Sequence, residues 1–108
     1  MVAVPFDIRI DIAGGVHRVA VVGELDVATG PILAARLREA AAGASPAVVV
    51  DLSGVSFIDA RGLRVLVGAH ERLGAGDRPR LRFVNPSPAV RRCVALARGL
   101  GHSVPLPD

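Results

Sequence analysis

Residues 48–66 read VVVDLSGVSFIDARGLRVL, and this stretch decides the fold. It opens on β-branched residues, passes Ser53, Gly54 and Ser56, and leaves on apolar residues at helical spacing. The run at 47–52 is short, apolar and β-branched, the pattern of a strand covered on both faces. Leu63, Leu66, Val67, His70 and Leu73 then fall at offsets of 0, 3, 4, 7 and 10, which puts them on one face of a helix over 61–73. Arg61, Arg64, Gly68, Glu71 and Arg72 lie mostly on the other side. Asp59 stands between strand and helix, where a carboxylate can accept from free backbone N–H groups and is favoured by the helix dipole.

The same reading extends outward. Residues 4–12 alternate Phe6, Ile8, Ile10 and Ile12 with Asp7, Arg9 and Asp11, which predicts a strand with one wet face. Pro5 suits an edge position. AGG at 13–15 supplies a turn, and VHRVAVVGEL at 16–25 predicts a second strand, antiparallel to the first. DVATGPILAARLREAAAG at 26–43 predicts a helix with Pro31 in its first turn and Gly43 at its end. Its inner stripe is Ile32, Leu33, Leu37 and Ala40 or Ala41.

GAGD at 74–77 stops the second helix, and RLRFV at 80–84 is a strand. SPAVRRCVALARG at 87–99 is a helix with Ser87 as cap, Pro88 at its first position and Gly99 just past its end. Val90, Cys93, Val94 and Ala97 face inward. HSVPL at 102–106 predicts a last short strand, placed at an edge by Pro105. The order ββαβαβαβ defines an α/β fold over residues 1–108 as a single domain. Its mixed sheet is mostly parallel and opened by an N-terminal β-hairpin, with helices packed on it.

Composition narrows the function. All 13 basic residues are arginine, which fits the codon bias of a GC-rich genome. The formal charge is only +3, the arginines are scattered, and with 3% aromatics there is neither Trp nor Tyr to stack on bases, so no nucleic-acid partner is expected. No apolar run approaches the roughly 18 residues of a membrane span, and MVAVPFDIRID does not read as a secretory signal. The expectation is a soluble, cytoplasmic protein. The single cysteine, Cys93, fits a reducing compartment.

Without lysine there is neither a Walker lysine nor a Schiff base. GAG at 74–76 follows a helix, so it lacks the context of a dinucleotide loop. His17, His70, His102 and Cys93 show no zinc spacing, and His70 reads as a packing histidine. GxSxG is absent; Ser45, Ser53, Ser56, Ser87 and Ser103 have turn, strand or cap explanations. Glu24, Asp51 and Asp59 read as caps and turn acceptors. No enzyme, metal or cofactor is expected.

GELDVAT at 23–29, together with VVVDLSGVSFIDARGLRVL at 48–66, resembles the STAS domain family of bacterial anti-sigma factor antagonists. FVNPSPAVRRCVALARGLG at 83–101 is similar to the family's strand, Ser-Pro turn and third helix. The resemblance implies transcription regulation by protein–protein interaction: the antagonist binds an anti-sigma factor, often a kinase-type ATPase, and frees the sigma factor. It also implies a switch, in which the kinase phosphorylates a Ser or Thr directly after the residue matching Asp59, and that phosphate abolishes binding.

Here the matching residue is Ala60, followed by Arg61, and neither has a hydroxyl. The resemblance therefore carries over a binding surface without the usual phosphosite. The family often ends in a fourth helix, whereas this sequence ends in VPLPD. The expected partner-binding residues are Glu24, Asp26, Thr29, Asp59, Ala60, Arg61, Gly62, Arg64 and Gly68, with the two helical glycines permitting close backbone approach. Two other readings stay open: a STAS subunit contacting the ATPase of a lipid or anion transporter, and a small nucleotide-binding module. Oligomeric state is not legible in the sequence.

Overall fold

In the computed structural model, which describes residues 5–42, 47–74 and 80–107, Gly14 and Gly15 form the tip of the N-terminal hairpin. Their φ angles of 58° and 77° are left-handed, as a two-residue turn between twisted strands requires. The turn folds β1 (Asp7–Ala13) back onto β2 (Val16–Leu25), antiparallel, with Ala13 opposite Val16. The chain continues through α1 (Gly30–Ala42), β3 (Ala47–Ile58), α2 (Ala60–Ala69), β4 (Leu81–Val84) and α3 (Pro88–Gly99). The sheet order is β1-β2-β3-β4, and β2, β3 and β4 are parallel.

Both crossovers advance in the same direction across the sheet. Right-handed connections then put their helices on the same face. Burial follows: Val19 and Val21 of β2, Val48, Val50 and Leu52 of β3, and Leu81 and Phe83 of β4 alternate into one core. Leu33 and Leu37 of α1, Leu63 and Leu66 of α2, and Val90 and Val94 of α3 meet them there. The opposite face carries Arg18, Arg82 and the half-buried Val49 and Asp51. The expectation that β3 is covered on both faces is corrected by this one-sided helix layer.

Four other expectations change. β3 runs on to Ile58 rather than stopping near Leu52, because it keeps pairing with β2 through two register shifts. A Cβ at Gly54 would lie 2.8 Å from the Val21 carbonyl oxygen, so glycine suits this close passage. α1 begins at Gly30, since Asp26–Thr29 form a separate turn, and Ile32 points outward rather than into the stripe. On β1, Ile10 and Ile12 share the core-side face but are 36% and 62% exposed. The helix layer stops short of them, while Phe6 and Ile8 pack against the core.

The fourth change is the last strand. Residues 102–105 form no strand. Val104 and Leu106 instead insert into the core, and Arg98 Nη2 donates to their carbonyls at 2.8 and 2.7 Å. Pro105, which lacks an N–H, is compatible with such side-chain anchoring but not with a full ladder. α2 passes into one π-type turn, His70–Gly74, and a Cβ at Gly74 would meet the His70 ring at 2.7 Å. The expected helix stop beyond Gly74, and Gly43 and Ser45, lie outside the described residues.

Candidate protein-binding site at the start of α2

Parallel pairing of β2 and β3 brings Leu25 beside Ile58, so both strands open at the same end of the sheet. β2 opens into the turn at 26–29. Asp26 Oδ1 accepts from the N–H groups of Ala28 at 2.9 Å and Thr29 at 3.1 Å. Thr29 Oγ1 donates to the Glu24 carbonyl at 2.7 Å and accepts from the Asp26 N–H at 3.0 Å. The N–H donors of Thr29 and then Ala28 hold the Asp26 carboxyl below the usual aspartate range.

β3 opens into α2. Asp59 is the N-cap, and its Oδ1 accepts from Arg61 N–H at 3.0 Å and Gly62 N–H at 2.9 Å. Its own N–H reaches the Leu25 carbonyl at 3.4 Å, which ties the two strand ends together. Ala60, Arg61 and Arg64 are exposed, as is Glu24; Asp26, Thr29, Asp59 and Gly68 are half-buried. Gly62 is buried, and a Cβ there would collide with the Leu25 carbonyl oxygen. Its missing side chain thus lets α2 sit close to the end of β2. Gly68 lies beside the Arg72 guanidinium, which a Cβ at this position would approach to 3.3 Å. It borders a shallow groove shared by Arg61, Arg64 and Ala34.

One feature of this end of the molecule was not legible in the sequence. A groove of about 580 Å³ runs between the start of α2 and α3. Asp59 and Ala60 form part of one wall; Phe57, Arg92, Cys93 and Leu96 line the rest. Leu96 and Leu100, at its rim, are 71% and 79% exposed. The available signal was their position off the inner stripe of α3. Burial, and after it the Asp59 charge, pushes the Cys93 thiol up, which keeps it protonated at neutral pH. A second cavity, of about 620 Å³, lies away from this end, beside His70, Arg80 and Leu81.

At both strand ends an aspartate Oδ1 accepts from two backbone N–H groups. Among the described residues, no group of three or more His, Cys, Asp and Glu side chains is placed to hold a metal ion. Among those residues, no helix is long and apolar enough to cross a membrane.

Known proteins share this architecture. The family model described as "Mlab, STAS domain" matches residues 8–105, and the chain belongs to the STAS domain family. A crystal structure of an anti-sigma factor antagonist from Mycobacterium paratuberculosis is similar at 34% identity, over 94% of this chain and 85% of that one, with a TM-score of 0.76. The anti-sigma factor antagonist SpoIIAA in its unphosphorylated form shares the fold, with 22% identity, 90% and 99% coverage, and a TM-score of 0.65. The search of curated proteins returned no match.

Proposed function

We propose that the chain is a non-catalytic regulator that docks an anti-sigma factor through the start of α2 and the adjoining 26–29 turn. The observation that carries this reading is the exposed N-terminal turn of α2, where Ala60 and Arg61 stand outside a satisfied Asp59 cap. Its similarity to an anti-sigma factor antagonist supplies the partner class. Asp59 sets the helix start; Arg61 and Arg64 offer positive charge to an acidic partner surface; Glu24 and the Asp26–Thr29 turn form the neighbouring rim. Gly62 acts from inside, by holding α2 against β2. With Ala60 at the position where the family carries its phosphoacceptor, the surface stays competent without dephosphorylation.

Affinity capture from the native cell, with captured proteins identified by mass spectrometry, tests the reading. Wild type is expected to retain an anti-sigma factor, and Arg64→Glu to lose it. An exposed helix substitution of this kind changes stability by less than about 0.5 kcal/mol. Equal capture by both forms removes Arg64 from the surface. Incubation of the chain with a captured kinase and ATP is expected to leave residues 60 and 61 unmodified by intact mass and peptide mapping. A phosphate on Ser53 or Ser56 instead shows a relocated switch.

A further inference from the structure

The β1 edge is not explained by binding at α2. We propose that β1 pairs antiparallel with β1 of a second copy of this chain, in a two-fold register centred on Ile10.

The backbone sets the allowed registers. In a two-residue hairpin the residues flanking the turn form a hydrogen-bonded pair, here Ala13 and Val16. Asp11, Arg9 and Asp7 follow with the same parity, so their N–H and C=O groups point to β2. Those of Ile8, Ile10 and Ile12 point away from it, along an edge with no strand beyond it among the described residues. A second β1 can bond there only by matching its own outward residues to these.

Side chains choose among those registers. Centred on Ile10, Ile10 meets Ile10, Ile8 meets Ile12, and Arg9 meets Asp11 twice. The isoleucines, two of them exposed, then cover one another on the helix side of the sheet. The Arg9–Asp11 pairs form on the opposite side, at non-hydrogen-bonded positions where facing residues approach most closely. A register centred on Arg9 puts Arg9 against Arg9 and Asp7 against Asp11; one centred on Asp11 puts Asp11 against Asp11. A register centred on Ile8 pairs Arg9 with Asp7 but leaves Ile12, the more exposed isoleucine, beyond Ile8 and Ile10 of the partner. Charged side chains on an edge commonly resist pairing. This edge alternates sign at a two-residue step, which makes it complementary to itself.

Sedimentation equilibrium of the full chain, up to about 1 mM because a strand-edge contact is weak, tests the proposal. A concentration-dependent dimer is expected. Arg9→Glu and Asp11→Arg should each weaken it by about tenfold or more. An equimolar mixture of the two should restore it. The carboxylate introduced at position 9 of one chain then faces the guanidinium introduced at position 11 of the other, and the native Asp11 and Arg9 meet at the second pair. Circular dichroism checks that both variants fold, since Arg18 lies across from position 11 on β2. In wild type, amide exchange at Ile8, Ile10 and Ile12 should slow as concentration rises. A chain that stays monomeric throughout overturns the proposal. A dimer untouched by Asp11→Arg, or single variants whose mixture stays monomeric, overturns the register.

Discussion

Helices α2 and α3 leave the carboxyl ends of parallel strands through the same backbone device. At α3, Ser87 caps the helix by accepting from Val90 N–H at 3.2 Å, and its own N–H reaches the Leu52 carbonyl of β3 at 3.3 Å. At α2, Asp59 caps by accepting from Gly62, also three residues on, and reaches the Leu25 carbonyl of β2. The surroundings differ. Ser87 is 5% exposed, and Val90 behind it is fully buried. Asp59 is half-buried and charged, with Ala60 and Arg61 open to solvent in front of it. One cap is closed over by packing, and the other is held rigid while its outer surface stays free. A rigid but uncovered helix start is what a docking surface needs, since little is left to order on binding.

The largest expected effect tests whether α2 is anchored from within. Leu66 is fully buried beneath it. Leu66→Ala should cost roughly 2–5 kcal/mol in chemical denaturation. A cost below about 1 kcal/mol would mean that α2 packs loosely and that the two helix starts differ in rigidity as well as exposure.

The caps themselves come next. Removing either from its helix costs about 0.5–2 kcal/mol. Ser87→Ala should lie at the upper end, because Val90 N–H is then left unpaired in a buried site. Asp59→Ala frees the exposed Arg61 N–H, which water can reach, and the part-buried Gly62 N–H, so it should cost less than Ser87→Ala. Equilibrium unfolding of the two variants under one set of conditions decides it; the reverse order breaks the contrast between a closed cap and an open one.

The smallest effect sharpens the picture of the rim. Because its folded-state pKa is depressed, Asp26 stabilises the fold above about pH 3.9 and loses that contribution as pH falls through its lower folded-state value. Titration by NMR should therefore place the Asp26 midpoint below about pH 3.9. A midpoint above that value would show that the 26–29 turn is not formed in solution.

Much of this was legible because local chemistry and global fold agree at the helix starts. Ser87-Pro88 and the Asp59 cap are written in residue type and spacing, and the structure places each as expected. Alternation likewise identified which side of β1 faces the helices. It carried no information on how far the helix layer extends, so Ile10 and Ile12 read as buried. Ser53 and Gly54 resemble a turn by composition, yet pairing with β2 overrides that preference and β3 runs through them. Thr29 was singled out on the family pattern; that its hydroxyl joins Glu24 to Asp26 needed coordinates. The groove beside Asp59 depends on α3, distant in sequence; the local pattern offers only the placement of Leu96 and Leu100 off the inner stripe of α3.

The proposed docking at the open start of α2, with Ala60 keeping it competent, has a direct consequence for affinity. Calorimetric titration of the anti-sigma factor with wild type, Ala60→Ser and Ala60→Asp tests it most directly. A carboxylate at a helix N-terminus is favourable by about 0.3–1 kcal/mol, so Ala60→Asp should fold nearly as well as wild type. At an interface the same charge must be desolvated, next to Asp59, which costs several kcal/mol when burial is complete. Ala60→Ser is expected to bind like wild type and Ala60→Asp at least about tenfold more weakly, a loss of about 1.4 kcal/mol. Equal affinity for wild type and Ala60→Asp would contradict it and move the docking surface away from the start of α2.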